Sequence, residues 1–233
     1  MSYDSASTRE LHWGISHVAN VQPQNRRITA FSTIKKDLYI SSDGSNSYIW
    51  NKDRVVQTIN LPAIALHYIK KIDHIISSVK NSTHLHFIWM IEPSSVVVHP
   101  LSFSIRTITC LFYLPKSGTL VTAGQGITFS KMIIPQFSGK GPFSQLIEFS
   151  RLTELYKDEI FTKVNSPLFI ESEDSIAVPI GQSLFVHSSD GTLIGSMPNL
   201  MPGRISSLSF YEEKRLIVIG DEFGNVYFVE FGQ

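Results

Sequence analysis

Residues 204–231, RISSLSFYEEKRLIVIGDEFGNVYFVEF, carry the clearest pattern in the chain. Three segments in this stretch are rich in Val, Ile, Tyr and Phe, namely ISSLSFY, RLIVIG and NVYFVEF. Two polar segments, EEK at 212–214 and DEFG at 221–224, separate them. β-Branched and aromatic residues favour strands, whereas Asp and Gly favour tight turns. The stretch therefore predicts three short strands separated by two turns.

Similar stretches occur earlier, and they align with one another. An aliphatic residue, two small residues and a larger apolar residue recur as ITAF at 28–31, AIAL at 63–66, ITCL at 108–111 and ISSL at 205–208. A second apolar strand and a turn containing Gly or Asn follow each of them. The repeat starts lie roughly 35–60 residues apart, which is the period of propeller blades. The segments are too short and too rich in β-branched residues for helical repeats.

The repeats predict an all-β propeller of about five four-stranded blades in one domain spanning residues 11–233. Residues 1–10 are expected to form a flexible tail. The blades are expected near residues 27–60, 63–103, 106–135, 166–200 and 204–233. The fifth repeat shows only three strands. Residues 11–21 could supply its outer strand and close the ring, or another chain could complete the ring, because an open sheet edge invites pairing.

An insertion at residues 136–165 interrupts the rhythm. Its apolar residues fall near helical spacing, with charged residues between them, at Leu146, Phe149, Leu152, Tyr156 and Ile160. This spacing favours a short amphipathic helix after a loop. The alternative is an outer blade strand that follows a long loop.

The repeats resemble WD repeats, and the likeness is best in ISSDGSNSYIW at 40–50. That segment has a small-residue strand end, an Asp-Gly turn and Trp50 at the close of the third strand. Residues 205–229 fit nearly as well, with Asp221 and Gly224 in the turn. No repeat carries the Gly-His pair or the Trp-Asp end of typical members, so the chain resembles a diverged WD repeat or a related propeller. The resemblance implies a propeller that binds proteins.

Composition argues against several classes of function. Twenty basic and twenty acidic residues give no net charge, so no nucleic acid partner is expected. No apolar run is long enough for membrane insertion. Cys110 is the single cysteine, which excludes an intrachain disulfide and predicts a buried small side chain rather than a nucleophile. With no secretory pattern at the N-terminus, the expected location is cytoplasmic.

The candidates for chemistry have simpler structural interpretations. His84 and His86 share one strand face, but no further ligands are spaced to complete a metal site. Gly124 and Gly126 are expected to lie in a hairpin turn rather than a dinucleotide loop. Three turn aspartates, Asp43, Asp190 and Asp221, are expected to accept local backbone hydrogen bonds. The sequence predicts no cofactor, no metal and no catalytic residues, and a propeller hydrolase is the less favoured alternative.

The sequence therefore favours a non-catalytic scaffold within a protein complex, whose partners are other subunits. A peptide reader that binds a short or modified tail is the alternative. The expected partner-binding residues are Trp13 and four residues of the insertion: Phe143, Phe149, Leu152 and Tyr156. An amphipathic helix could place these four side chains in a groove of a partner. They could equally pack against a neighbouring blade.

Overall fold

A computed structural model describes most of the chain from Arg27 onward. The described residues are 27–52, 54–80, 82, 84–92, 95–102, 108–133, 148–162 and 165–231. Trp13, Phe143, the predicted tail and the segment 11–21 lie outside them. No helix of the described part is long and apolar enough to cross a membrane.

The described residues form short β-strands and two single 3-10 turns. The strands are β1 (Ala30–Lys35), β2 (Leu38–Ser42), β3 (Ser47–Asn51), β4 (Arg54–Ile59), β5 (Ala63–Ile69), β6 (His74–Val79), β7 (His84–Glu92), β8 (Ser95–Ser102), β9 (Ile108–Leu114), β10 (Thr119–Ile133), β11 (Glu148–Ile160), β12 (Leu168–Ile170), β13 (Ser175–Ile180), β14 (Ser183–Ser188), β15 (Leu193–Met197), β16 (Ile205–Tyr211), β17 (Leu216–Asp221) and β18 (Val226–Glu230).

The strands assemble into five antiparallel sheets in chain order. Their hydrogen-bonded orders are β1-β2-β3-β4, β5-β6-β7-β8, β9-β10-β11, β12-β13-β14-β15 and β16-β17-β18. Each strand pairs with the next one along the chain, as short turns between consecutive strands require. This arrangement confirms the predicted all-β propeller with five blades.

The third sheet also has four strand segments, because β10 folds back on itself. A straight strand of fifteen residues would be about 50 Å long. Yet the amide of Met132 donates to the carbonyl of Gly118 across 2.9 Å, which brings the two ends of β10 together. The first half of β10 pairs with β9 and the second half with β11. The reversal lies at Gly124-Gln125-Gly126, where Gly126 has φ +91°, which confirms the predicted hairpin turn.

The apolar core lies between successive sheets in four clusters. Each cluster contains buried side chains from two consecutive sheets, such as Ile49 with Ile75 between the first and second. Strands that are packed on both faces are therefore buried along most of their length, and β6 has five consecutive buried residues, of which His74, Ser77 and Ser78 are polar. β18 alternates between exposed and half-buried residues instead. One face of the fifth sheet is thus covered by none of the described residues.

The helix predicted within residues 136–165 is wrong for its described part, because residues 148–160 form β11. The outer-strand alternative is confirmed there. The second half of β10 offers unpaired backbone groups along its edge, and pairing with them satisfies the backbone of β11 as a helix would. Helical spacing of five apolar residues could not reveal that edge, since it lies in another part of the sequence.

A wide bulge interrupts the pairing of β11 with β10 near Tyr156. Gln125 pairs with Ile160 and Ile127 with Leu155, so β11 carries three more residues than β10 in this interval. Tyr156 takes φ +52° at the start of the bulge. A Cβ on Gly126 would lie 3.1 Å from the Cα of Lys157, so glycine permits the close approach.

Candidate functional site

The turn aspartates are structural, as the sequence predicted. The Asp43 carboxylate accepts hydrogen bonds from the amides of Ser45 and Asn46, both at 2.8 Å, and from the hydroxyl of Tyr48 at 3.0 Å. Asp190 likewise accepts a hydrogen bond from the amide of Thr192 at 2.9 Å. These contacts occupy the carboxylate oxygens within their own turns, so the turns do not need a bound cation to hold them.

Asp221 repeats the arrangement of Asp43 in the fifth sheet. Its carboxylate accepts hydrogen bonds from the amides of Phe223 and Asn225, both at 2.9 Å, and from the Tyr227 hydroxyl at 3.1 Å. Burial alone would raise the pKa of Asp221, but the hydrogen bonds from Asn225 and Tyr227 outweigh it and lower the pKa. A carboxylate held ionised by its own turn is poorly suited to act as a general acid.

The histidines do not converge on a metal site within the described residues. No three His, Cys, Asp or Glu side chains of that part of the chain lie close enough to hold an ion. Nδ1 of His74 lies 2.5 Å from the carbonyl oxygen of Ile72, so it carries the proton and donates it. Burial lowers the pKa of His67 to about 4, which keeps this side chain neutral at physiological pH. Cys110 is free and buried, as predicted.

Two of the predicted partner-binding residues are described together with their side chains. Leu152 lies on β11 and is 45% exposed, so it is available on the outer strand of the third sheet. Tyr156 is half-buried and packs into the fourth sheet. Only the backbone of Phe149 is described, and Trp13 and Phe143 lie outside the described residues. Of these five residues, the structure thus places the side chains of Leu152 and Tyr156 only, the first exposed on β11 and the second against the fourth sheet.

Tyr156 joins the third and fourth sheets through His187. Nδ1 of His187 lies 3.0 Å from the carbonyl oxygen of Gly191, which can only accept, so Nδ1 carries the proton. Nε2 of the neutral ring then accepts a hydrogen bond from the Tyr156 hydroxyl at 2.8 Å. Burial lowers the pKa of His187 and favours this neutral form. The contact supports a structural role for Tyr156.

A small cavity of about 230 Å³ lies where the connection before the fourth sheet meets the start of the fifth. Polar and charged side chains line most of it, including Asn165, Arg204 and Glu222. A carboxylate oxygen of Glu222 accepts a hydrogen bond from the amide of Arg204 at 3.0 Å. Small-molecule sites usually measure about 300–1,000 Å³, so this cavity suits a peptide side chain or terminus better than a cofactor.

Large apolar side chains are exposed on the first and last sheets, and the sequence reasoning did not select them. Ile28 is 61% and Phe31 56% exposed beside the first sheet. Phe223, Val226 and Phe228 in the fifth are 68%, 59% and 66% exposed. The alignment of the repeats could have indicated these residues. The first and last sheets each have a neighbouring sheet on one side only, so a position that is buried in the other repeats can be exposed in these two.

Comparison with known proteins supports the fold and is silent on the reaction. No protein-family model matches the sequence, and no curated protein is similar to it. The WD40 β-propeller domain of Doa1, a solved crystal structure, superposes with a TM-score of 0.60 at 12% identity. The superposition covers 90% of this chain and 67% of that domain. The chain therefore has a WD40-like β-propeller fold.

Proposed function

We propose that this chain is a non-catalytic propeller scaffold that binds protein partners as a subunit of a larger cytoplasmic assembly. The observation that carries the proposal is the exposure of Phe223, Val226 and Phe228 together on one sheet of a rigid array. Exposed apolar groups of this size favour protein contacts. The free, buried thiol of Cys110 fits a reducing compartment.

The outer strand of the third sheet is a second surface that supports the proposal. Leu152 is exposed on β11, and Arg151 and Lys157 beside it form ion pairs with Glu154. An apolar side chain surrounded by charged residues resembles the centre and rim of a transient protein interface. Leu152 therefore stays a candidate contact, although it lies on a strand rather than on a helix.

Purification of the full tagged chain from its native cells tests this function. A scaffold subunit is expected to elute with other proteins in fixed ratios, at a mass well above 26.2 kDa. Leu152→Asp is expected to lower the recovery of at least one of them several-fold without changing the melting temperature. Leu155→Asp is the matched control for misfolding, because Leu155 packs in the core and its substitution must lower the melting temperature. Elution of the native chain alone would contradict the proposal.

A peptide reader is the second candidate, and the cavity beside Arg204 and Glu222 favours it. A site lined by both charge signs suits a peptide terminus or a polar side chain. Binding of short peptides with free and blocked termini to the full chain, measured by fluorescence anisotropy, tests this candidate. Arg204→Ala is expected to weaken such binding about tenfold, and the absence of binding to every peptide would contradict it.

A further inference from the structure

The forward face of each sheet, defined as the face toward the next sheet in the chain, is buried in the first four sheets. In the first, second and fourth sheets, the central residues of this face lie opposite each other on the second and third strands. These pairs are Ile40 and Ile49, Ile76 and Phe87, and Ala177 and Val186. All six are at most 4% exposed. The corresponding pair in the fifth sheet is Val218 and Phe228, and Phe228 is 66% exposed. The forward face of the fifth sheet is therefore built for packing but uncovered by any described residue.

The backward face of each sheet is the face toward the preceding sheet. It is buried in later sheets but exposed in the first sheet, at the other end of the array. The first residue of the repeat motif is at most 2% exposed in three sheets, at Ala63, Ile108 and Ile205. In the first repeat the same position is Ile28, which is 61% exposed. The fourth position of the motif is buried at Leu66 and Leu111, whereas Phe31 is 56% exposed. Both ends of the array thus present a face that the repeat buries elsewhere.

The two ends also carry opposite charge. Residues 27–60 contain five basic and three acidic residues, whereas residues 203–233 contain three basic and five acidic ones. Three of the acidic residues, Glu212, Glu213 and Glu230, lie at the end of the fifth sheet that carries the β16–β17 turn. Lys214 and Arg215 lie in the same turn, where Arg215 forms an ion pair with Glu173 of the fourth sheet. Lys36 and Lys52 lie at the corresponding end of the first sheet. Partners of the two faces should differ in charge accordingly.

A second copy of this chain does not satisfy both faces. A head-to-tail contact would cover the fifth sheet of one copy with the first sheet of the other, and the far ends would stay open unless a ring closed. Two copies would bring ten sheets, whereas propellers close with about 4–8 blades. The match covers 67% of the solved Doa1 chain, so about a third of that chain has no counterpart in the five sheets. In a propeller, a third of the ring is the space of about two sheets rather than five.

We propose that one partner protein fills this space with about two antiparallel β-sheets that have apolar faces, and so completes the ring. The inference rests on the proposed scaffold function and deepens it by naming the surfaces and the chemistry of the partner. One partner sheet packs on the Val218–Phe228 pair and carries basic residues opposite Glu212 and Glu213. The other packs on Ile28 and Phe31. A partner strand also pairs with the edge of β18 that no described strand covers, because a strand edge accepts another strand.

Site-specific photo-cross-linking tests the proposal on the full chain in its native cells. Benzoylphenylalanine replaces Phe228 in one variant and Phe31 in another, and mass spectrometry identifies the linked peptides. We expect both positions to link to one and the same partner polypeptide, in segments whose apolar residues alternate with polar ones. Replacement of Leu193 is the control, since it is 51% exposed on the outer strand of the fourth sheet. That position should not link to those segments.

Each other outcome overturns the proposal. Links to any other segment of the same polypeptide would show that the protein itself covers the end faces. Links between Phe228 and residues 27–60 of another copy would show self-assembly. The absence of links at positions 31 and 228 from an intact complex would show that partners bind elsewhere, and the scaffold function would survive. A chain that purifies alone would overturn both.

A pair of substitutions supplies an independent measurement. Phe228→Ser is expected to lower recovery of the cross-linked partner at least about tenfold, because a buried aromatic anchor dominates such interfaces. Leu193→Ser should leave the recovery unchanged. Both side chains are exposed, so both variants should keep the melting temperature of the native chain. Equal recovery with the two variants would contradict the assignment of the fifth sheet.

Discussion

At the residue scale, turn aspartates and a tryptophan show how polar side chains stabilise the turns and strands of this propeller. Asp43 and Asp221 each accept two backbone amides and one tyrosine hydroxyl. In the first sheet the indole of Trp50 donates to the Ser41 hydroxyl at 2.8 Å. These contacts brace the blades although the usual Gly-His and Trp-Asp pairs are missing from the sequence.

The histidines predict an acid-sensitive fold. His67, whose pKa burial lowers to about 4, has an ordinary value of 6.5 when unfolded. The folded state therefore binds fewer protons than the unfolded state between these values, so stability is complete above about pH 6.5 and falls as the pH decreases toward 4. Through this residue alone, the free energy of unfolding should be about 2 kcal/mol lower at pH 5 than at pH 8. The free energy of unfolding from urea titrations at the two pH values measures the loss.

His67→Gln is the control for this prediction, since glutamine does not titrate. The variant should lose less stability between pH 8 and pH 5 than the native chain does. A residual slope is expected, because burial also lowers the pKa of His86 and His187. An identical loss in both proteins would contradict the assignment to His67.

At the element scale, β11 is a strand although the apolar spacing of its sequence favours a helix. It completes the third sheet along the free half of β10, and its bulge carries Tyr156 to His187 of the fourth sheet. Next to this contact, Gly191 in the turn after β14 meets Thr153 of β11. The outer strand of the third sheet, β11, therefore packs against the turn that follows β14 in the fourth sheet.

Substitution of Gly191 should disrupt this junction. Gly191 has φ +91°, and an added Cβ would lie 2.1 Å from Cγ2 of Thr153. Gly191→Ala is therefore expected to lower the free energy of unfolding by about 2–4 kcal/mol, which combines the backbone strain with the collision. Thermal and urea denaturation measure the effect.

Gly181→Ala separates the two contributions. Gly181 also has positive φ, at +60°, but an added Cβ would meet nothing within 4 Å. Gly181→Ala should therefore lower the free energy of unfolding by only about 1 kcal/mol. Thr153→Ala should partly restore the stability of Gly191→Ala, since it removes the colliding methyl group. Equal losses in the two glycine variants would show that the junction contributes nothing.

At the scale of the whole molecule, five sheets with four apolar interfaces form an array whose two end faces are exposed within the described residues. Exposed apolar sheet faces and a free strand edge favour association. We therefore expect the chain expressed without partners to show a mass above 26.2 kDa that rises with concentration. Size-exclusion chromatography with light scattering measures this mass.

Two matched variants test whether the fifth sheet mediates this association. Phe228→Ser should shift the association toward monomer, whereas Leu193→Ser should not. A concentration-independent monomer of the native chain would show that the end faces are covered within the chain. That result would also argue against the partner sheets proposed above.

The sequence by itself determined the strands and turns, because these depend on local preferences. Alternating and β-branched residues predicted the strands, and Asp-Gly and Gly-Gln-Gly segments predicted the turns, including the reversal within β10. The spacing of the repeats then predicted the propeller. The sequence also predicted the role of the aspartates, since an Asp in a turn accepts hydrogen bonds from amides two to four residues away.

Only the tertiary structure decided which surfaces are free. Leu146, Phe149, Leu152, Tyr156 and Ile160 fit helical spacing, but the open edge of β10 selected a strand for the described part of that segment. The sequence cannot show this edge, nor that Tyr156 reaches His187 across 31 positions. The exposure of Phe228, at a position equivalent to buried Ile49 and Phe87, depends on whether another sheet follows. That is a property of the array, not of the repeat.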